Sequence, residues 1–450
     1  MHQKPGELGR NAGGRGEAES EAVRDEARTA RHETGSLGRD GLLAQALAKA
    51  NMEAAWKRVK SNRGSAGADG LSIAETADYL RAHWPRIRES LLDGSYRPLP
   101  VRRVQIPKPD GGVRELGIPT VMDRLIQQAL LQVLQRIIDP TFSEHSYGFR
   151  PGRRAHDAVL DAQRYVQDGY RMVVDVDLEK FFDRVNHDIL MERLARRIDD
   201  KAVLRLIRRY LVAGIMDGSV VMARYEGTPQ GGPLSPLLAN VLLDEVDREL
   251  ERRGHRFVRY ADDCNVYVRS RRAGERVLAG LTKLYERLHL KVNETKTAVA
   301  PASRRKFLGY AFWYGSGGQV KCRVADKALK TFKQRIRQFT CRSGGRNLTE
   351  IAERLRAYMP GWKAYFQLAQ TPNVFRELDK WIRHRLRAVQ LKHWRRGTTM
   401  YRELKALGAS ETDARQVAAN SRRWWRNSRF LLNRAMPVAY FDRLGVPRLS

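Results

Sequence analysis

The sequence predicts a mixed α+β body followed, from about residue 325, by a basic helical region. Three patterns carry that expectation. Up to residue 325, short apolar runs bounded by Gly, Pro and Asp alternate with helical stripes. Past 325 the strand-like runs stop, and apolar residues recur at helical spacing, as in Leu329, Phe332, Ile336 and Phe339. The third pattern is charge. The 450 residues carry a formal net charge of +32, and residues 301–450 hold 33 Lys and Arg against 9 Asp and Glu, with six of the eight tryptophans. So concentrated a surplus calls for a polyanionic partner, nucleic acid first, with a membrane surface or the ribosome as alternatives. Arg mixed with Trp and Tyr offers phosphate contact and base stacking together.

The elements follow in order. Residues 1–41 are rich in Gly, Glu and Arg and poor in large apolar groups, so a disordered tail is expected. Helical spacing begins at Leu42–Val59. VRRVQIPKPDGGVRELGIP (101–119) reads strand, Pro-Asp-Gly-Gly turn, strand, and TVMDRLIQQALLQVLQRI after it has the stripe of a packed helix. MVVDVDLEKFF is a short buried strand running toward a helix. GTPQGGPLSPLLANVLLDEVDREL is a Gly/Pro loop opening a helix capped by Ser235, with Pro236 at its first position and Leu238, Val241, Leu242 and Val246 on its buried face. FVRYADDCNVYV (257–268) reads as two strands meeting at a tight turn that carries Asp262 and Asp263. TEIAERLRAYMPGWKAYFQLA and VFRELDKWIRHRLRAVQLKHW suggest two more helices, and no internal repeat is visible.

Cys264, Cys322 and Cys341 form no C-x-x-C pair, which argues against a zinc site or disulfide framework and suits a reducing compartment. No apolar run approaches the ~20 residues of a membrane span, and the N-terminus lacks the apolar core of a secretion signal. A cytoplasmic protein that does not engage a membrane is expected.

The carboxylates raise the chemical question. If MVVDVDL is a strand, Asp175 and Asp177 share one face while Val174, Val176 and Leu178 pack on the other. An acidic face on an apolar strand is costly unless a cation neutralises it. Asp262 and Asp263 pose the same problem at a hairpin tip, where Asn-Gly or Asp-Gly would suit the turn better. One divalent-metal site between the two segments, side by side in a sheet, solves both. Oxygen ligands without His or Cys suit Mg²⁺. Two such ions ~4 Å apart can activate an attacking hydroxyl and stabilise a leaving pyrophosphate. Taken singly, an Asp-Asp turn is more often structural than functional, and Asp177 serves equally as a helix cap; the conjunction points to chemistry.

That conjunction resembles the reverse transcriptases. YADD, preceded by Phe257–Arg259, resembles their catalytic hairpin, and DVDLEKFFDRVNH their first catalytic strand. GTPQGGPLSPLLAN resembles the nucleotide- and template-binding loop, LKVNETKT the palm motif that carries a lysine, and FLGYAFW the primer-grip hairpin. SEHSYGFRPGRRAHDAV is typical of the bacterial branch. LRAYMPGWKAYF and the basic helices after it resemble the thumb and maturase region of group II intron-encoded proteins, of the bacterial type that lacks an HNH nuclease. The resemblance covers roughly residues 50–450. It implies a right-hand fingers–palm–thumb polymerase fold with an antiparallel palm sheet, followed by a basic helical thumb/maturase region. Fingers would span 42–170, palm 171–315, thumb and maturase helices 316–400, and a basic nucleic-acid-binding segment 401–450. It implies an RNA-directed DNA polymerase using two Mg²⁺ ions, with Mn²⁺ as substitute, that also assists splicing of its group II intron RNA and copies it for mobility. The implied partners are that intron RNA, an RNA template with a DNA primer, dNTPs and target DNA, in a bacterial cytoplasm and in part at the nucleoid.

Residue by residue, the resemblance makes Asp177, Asp262 and Asp263 the metal-binding and catalytic carboxylates, joined at the metal by the backbone carbonyl of Leu178. Phe182, five residues after Asp177, matches the aromatic gate under the sugar. Gln230 matches the loop glutamine beside the incoming nucleotide. Lys108 and Arg114 match the fingers residues that grip the triphosphate, and Lys296 the lysine that protonates pyrophosphate. Asp175 shares the strand without being a primary ligand. Arg150, Arg153 and Arg154, and Arg422, Arg423 and Arg426 around Trp424 and Trp425, are expected at RNA phosphates, against the usual fate of such side chains as solvated surface. Two relatives share the palm: a domesticated or defence-associated bacterial reverse transcriptase, generally without the maturase-like C-terminus, and a splicing-only maturase, which has no need of the three aspartates. A viral-type RNA polymerase has to admit a 2′-hydroxyl, which Phe182 opposes.

Overall fold

The computed structural model describes residues 41–107, 112–217, 220–222, 226–228, 231–429 and 432–450. The tail expected over 1–41 lies, but for Gly41, outside the described residues, as do Lys108 and Gln230; for Arg114 the backbone alone is described. Eleven strands are described: β1 (Val101–Pro107), β2 (Val113–Ile118), β3 (Met172–Val176), β4 (Ile215–Asp217), β5 (Val220–Met222), β6 (Arg256–Tyr260), β7 (Asp263–Val268), β8 (Ala298–Pro301), β9 (Lys306–Phe307), β10 (Tyr310–Tyr314) and β11 (Val320–Val324). The chain divides into two compact units, residues 1–141 with 182–238 and residues 142–181 with 239–450.

The first unit holds a sheet of order β2-β1-β4-β5. β1 and β2 pair antiparallel from Arg102↔Ile118 to Pro107↔Val113, as the strand–turn–strand spacing requires, and β1 meets β4 in a short parallel contact. Arg103 of β1 binds Asp217 of β4 at 2.6 Å and also Glu115 of β2, so one guanidinium ties three strands. A capping box opens the Ile73–Leu92 helix: the Glu75 N–H donates to Ser72 Oγ (3.3 Å) and the Ser72 N–H to the Glu75 carboxylate (2.8 Å). The Val121–Ile138 helix is buried on most of its surface, with Val121, Ile126, Leu134 and Ile138 inaccessible to solvent. Asp123 in its first turn is buried too, and hydroxyls satisfy it: Thr120 Oγ1 donates at 2.7 Å and Tyr96 Oη at 2.8 Å. Burial raises that carboxyl above its usual range.

The second unit holds two antiparallel sheets, β6-β7-β3-β8 and β11-β10-β9. In the larger one Val173, Val174 and Val176 of β3 are fully buried. The Arg271–Arg287 helix lies close against it because Gly274 has no side chain; a Cβ there would sit 2.5 Å from Val299 Cγ1 of β8. In the smaller sheet Phe307, Tyr310, Ala311 and Phe312 are core. Strands end at Val324, as the periodicity change at 325 predicts. The Asp326–Phe339, Leu348–Tyr365 and Pro372–Trp394 helices and the shorter ones after them share one apolar core, which includes Phe332, Ile351, Leu355, Leu386, Met400 and Leu432.

Candidate active site

The acidic hairpin is built by β6 and β7, closed by the pair Tyr260↔Asp263. That register corrects the sequence expectation in one respect. The two-residue turn is Ala261–Asp262, and Asp263 is the first residue of β7 instead of a turn residue. Ala261 has φ 58 and Asp262 does not have positive φ, the sign pattern of a II′ hairpin. A non-Gly residue in the left-handed region needs support from its surroundings, and Ala261 has it. The backbone of Gly148 lies against it so closely that a Cβ on Gly148 would fall 2.2 Å from the Ala261 nitrogen.

Arg259 supplies the rest of the support. It is wholly buried, yet donates to Asp247 (Nε 2.7 Å, Nη2 2.5 Å), to Asn240 Oδ1 and the Ala261 carbonyl from Nη1 (both 2.9 Å), and to Ser146 Oγ from Nη2 (2.8 Å). Asn240 in turn donates from Nδ2 to the Gly148 carbonyl at 2.9 Å. One guanidinium thus joins the SYG segment, the LAN end of the Gly/Pro motif and the YADD hairpin. Sequence reading treated Arg259 as part of a strand. The signal was present: an arginine among apolar strand residues demands buried partners just as Asp175 does.

β3 lies between β7 and β8, pairing Asp175 with Asn265 on one side and Ala298 on the other. Arg305 neutralises Asp175, with Nε at 2.7 Å and Nη2 at 2.5 Å from its Oδ2. Asp177, just beyond β3, is held by its backbone: its N–H donates to Thr297 Oγ1 (3.1 Å) and its carbonyl accepts from the Asn293 N–H (2.8 Å). Its Oδ2 is buried and accepts no hydrogen bond; the Lys296 ammonium stands 3.3 Å from it as an ion pair. Leu178 is buried and forms an isolated bridge with Val292. Burial, and then the charges of Asp175, Asp262 and Asp177, push the Asp263 carboxyl up to about 7, with Lys306 opposing.

Four carboxylates therefore gather at the ends of β3 and β7, faced by Arg305, Lys296 and Lys306, a donor set of carboxylate oxygens that fits a hard divalent cation. No group of three or more His, Cys, Asp or Glu side chains is assembled as a metal cage among the described residues. Mg²⁺ held by one or two carboxylates and substrate phosphates does not require one. A groove of about 410 Å³ opens beside Asp263, lined by Lys306, Gly309, Phe332, Trp362 and Phe366. Gly309, at φ +81, leaves the groove open where a Cβ would press on the Phe366 ring at 3.2 Å.

The remaining expected residues fall differently. Phe182, in the first unit, is half-buried, and its carbonyl accepts from the Thr228 N–H at 2.7 Å. Arg150 departs from the expectation of a phosphate contact: it is buried, and its Nη1 donates to the carbonyls of Ser143 (2.6 Å) and Ser146 (2.9 Å), so it braces the loop before Gly148. Arg153 pairs with Glu144, and Arg154 is exposed with Asp157 at 3.5 Å. Arg422, Arg423 and Arg426 are all exposed. Trp424 packs against the helical core beneath Arg342 and Lys392, whereas Trp425 is 43% exposed and lies tilted against His384 at 3.7 Å between centroids.

Comparison with known proteins gives two family matches and several relatives. Residues 106–312 match the reverse transcriptase (RNA-dependent DNA polymerase) family and residues 329–408 the group II intron, maturase-specific domain. The chain is 40% identical over 191 residues to protein YkfC of Escherichia coli (42% of this chain, 50% of that protein). It is 30% identical over 335 residues to the group II intron-encoded protein LtrA of Lactococcus lactis (59% and 55%). With nuclear intron maturase 2, mitochondrial, of Arabidopsis thaliana it shares 32% identity over 177 residues (30% and 24%). The chain thus spans about half the length of the first two of these relatives. No helix among the described residues is long and apolar enough to cross a membrane.

Proposed function

Because the chain belongs to the family of group II intron-encoded reverse transcriptases and maturases, we propose that it is an RNA-directed DNA polymerase. In this reading it also binds its intron RNA to assist splicing and copies that RNA into DNA. The observation that carries the reading is the gathering of Asp177, whose buried Oδ2 accepts no hydrogen bond, with Asp262 and the raised Asp263 at the ends of β3 and β7, in a chain that continues into a maturase-specific domain. Asp177 and Asp262 would hold the cation with the substrate phosphates, Asp263 would support them, and the Leu178 carbonyl would complete the protein's share. Two Mg²⁺ ions, or Mn²⁺ in their place, would supply Lewis-acid activation of the primer hydroxyl and of the leaving pyrophosphate. Lys296, beside Asp177 at 3.3 Å, would give a proton to that pyrophosphate. Lys108 and Arg114 grip the dNTP triphosphate, Gln230 lies beside its base, and Phe182 bars a 2′-hydroxyl.

Fingers over 42–170, palm over 171–315, thumb and maturase helices over 316–400 and the basic segment over 401–450 complete the assignment. Intron RNA, an RNA template with its DNA primer, and target DNA are its partners, in the cytoplasm and in part at the nucleoid. Arg153, Arg154, Arg422, Arg423 and Arg426 contribute to the RNA-binding surface. The test is primer extension on an RNA template with dNTPs and Mg²⁺. The unmodified chain extends the primer and Asp177→Asn does not; near-normal extension by Asp177→Asn would sink the carboxylate assignment.

A further inference from the structure

At the opposite end of β6 and β7 from the acidic turn lies a second polar site. β6 begins at Arg256 and β7 ends at Val268, and Arg256 pairs with Tyr267. Six residues along an extended strand separate Arg256 from Asp262, roughly 20 Å. Here a cavity of about 430 Å³ is lined by Tyr170, Arg253, Arg256, Arg269 and Arg276 above an apolar floor that includes Val268.

The charge at this site is not internally balanced. Arg253 is paired with Glu249 at 2.5 Å. Arg256, Arg269 and Arg276 are exposed and have no carboxylate partner among the described residues. Arg269 lies over the Tyr170 ring, 5.1 Å from its centroid. Tyr170 is partly buried, and the Arg269 and Arg256 guanidinium groups beside it hold its phenol below the usual value. His255 beside them is lowered as well, first by burial and then by Arg253. The Arg271–Arg287 helix starts at the rim, its Ser270 cap bound to the Ala273 N–H at 3.2 Å, so the positive end of a 17-residue helix adds to the same field.

We propose that this pocket is a phosphate-binding site for structured RNA, separate from the catalytic carboxylates. The inference rests on the reading of the chain as an RNA-binding polymerase. The guanidinium forks suit phosphodiester oxygens, and the Tyr170 ring with its apolar surroundings gives an adjoining sugar or base a dry surface to rest on. An RNA held at this distance leaves the primer end at Asp262 unobstructed. The pocket therefore anchors the RNA without entering the reaction.

The test uses the full chain with Arg256, Arg269 and Arg276 all changed to Ala, and a second variant with all three changed to Lys. The probes are a structured RNA transcript made in vitro and a DNA duplex of matched length, each titrated against salt. The Ala variant is expected to bind the RNA more weakly and to lose about 2 from the slope of log K against log salt, at about 0.7–0.9 per phosphate contact. The Lys variant should keep that slope. Extension of a short annealed primer–template should stay within about twofold of the unmodified chain for both variants. Unchanged RNA affinity and slope in the Ala variant would overturn the proposal. An equal loss on RNA and DNA would overturn its assignment to RNA, and a Lys variant that loses the slope like the Ala variant would overturn direct phosphate contact. Failure of the unmodified chain to extend a primer would count against the polymerase reading alone, because the binding arms do not depend on extension.

Discussion

All five N–H donors of Arg259 are used inside the protein, on Asp247, Asn240, Ala261 and Ser146. Arg422, Arg423 and Arg426 stand on the surface at and just before the short Trp424–Asn427 helix, with no carboxylate partner among the described residues. The two settings use the same side chain for different ends. In the palm a charge is taken out of water, so it is tolerable only with every donor matched, and that matching fixes the position of the hairpin. In the helical region the charge stays in water, costs the fold little, and is available to a polyanion whose path along the surface need not be fixed to a fraction of an ångström. Geometry governs the first region and charge density the second.

Substitutions that separate these two modes should sharpen the contrast. The largest effect is expected from Asp262→Asn, which keeps size and removes charge. A loss of ~4 kcal/mol in transition-state stabilisation lowers primer extension about a thousandfold, while intron splicing measured in parallel stays largely intact. A variant that still folds and binds RNA yet loses splicing along with extension would show that the two functions are not separable.

Next comes the buried knot. Arg259→Met leaves Asp247 charged and unpaired in the interior and should cost about 3–5 kcal/mol of stability, read by denaturant unfolding. Adding Asp247→Leu should restore most of that stability without restoring extension, since the ties to Ala261 and Ser146 stay broken. Full activity in the double variant would mean that the knot serves stability alone.

Changing Arg422, Arg423 and Arg426 together to Ala should flatten the salt dependence of intron binding by about 2 in slope and leave extension of a generic annealed primer–template nearly unchanged. Parallel loss of both would erase the distinction between the regions. The smallest shift is expected from Phe182→Ala, which opens space under the sugar and should raise ribonucleotide over deoxynucleotide incorporation about tenfold, ~1.4 kcal/mol. If that ratio does not move, Phe182 is a packing residue.

Much of this was legible because two periodicities and one kind of misfit carry it. Alternation around Asp175 marked β3, the change to helical spacing marked the end of the strands at Val324, and acids on apolar strands marked the strand ends where charge gathers. What escaped sequence reading depends on partners far along the chain. Nothing local distinguishes Arg150, which folds inward onto Ser143 and Ser146, from Arg154, which stays exposed. The turn was misplaced by one residue because the Tyr260↔Asp263 register is set by the left-handed Ala261 and the close approach of Gly148, neither visible in the hairpin's own composition. The second basic pocket escaped for the same reason: Tyr170 and Arg269 are about a hundred residues apart in sequence and meet only in the fold.

β3 is flanked on one side by β7 and on the other by β8, and Asp175 is neutralised by Arg305. During translation, the strand bearing the first acid leaves the ribosome well before either neighbour exists. The acidic centre therefore cannot assemble until the chain has been made past residue 305, some 130 positions later. Until β7 is made Asp175 and Asp177 remain hydrated on an unpaired segment, and the closure of so distant a pairing belongs among the slow steps of maturation. On the proposed function, a nascent chain would be unable to copy any RNA it meets, including the message from which it is being translated, until the far strand and its arginine arrive.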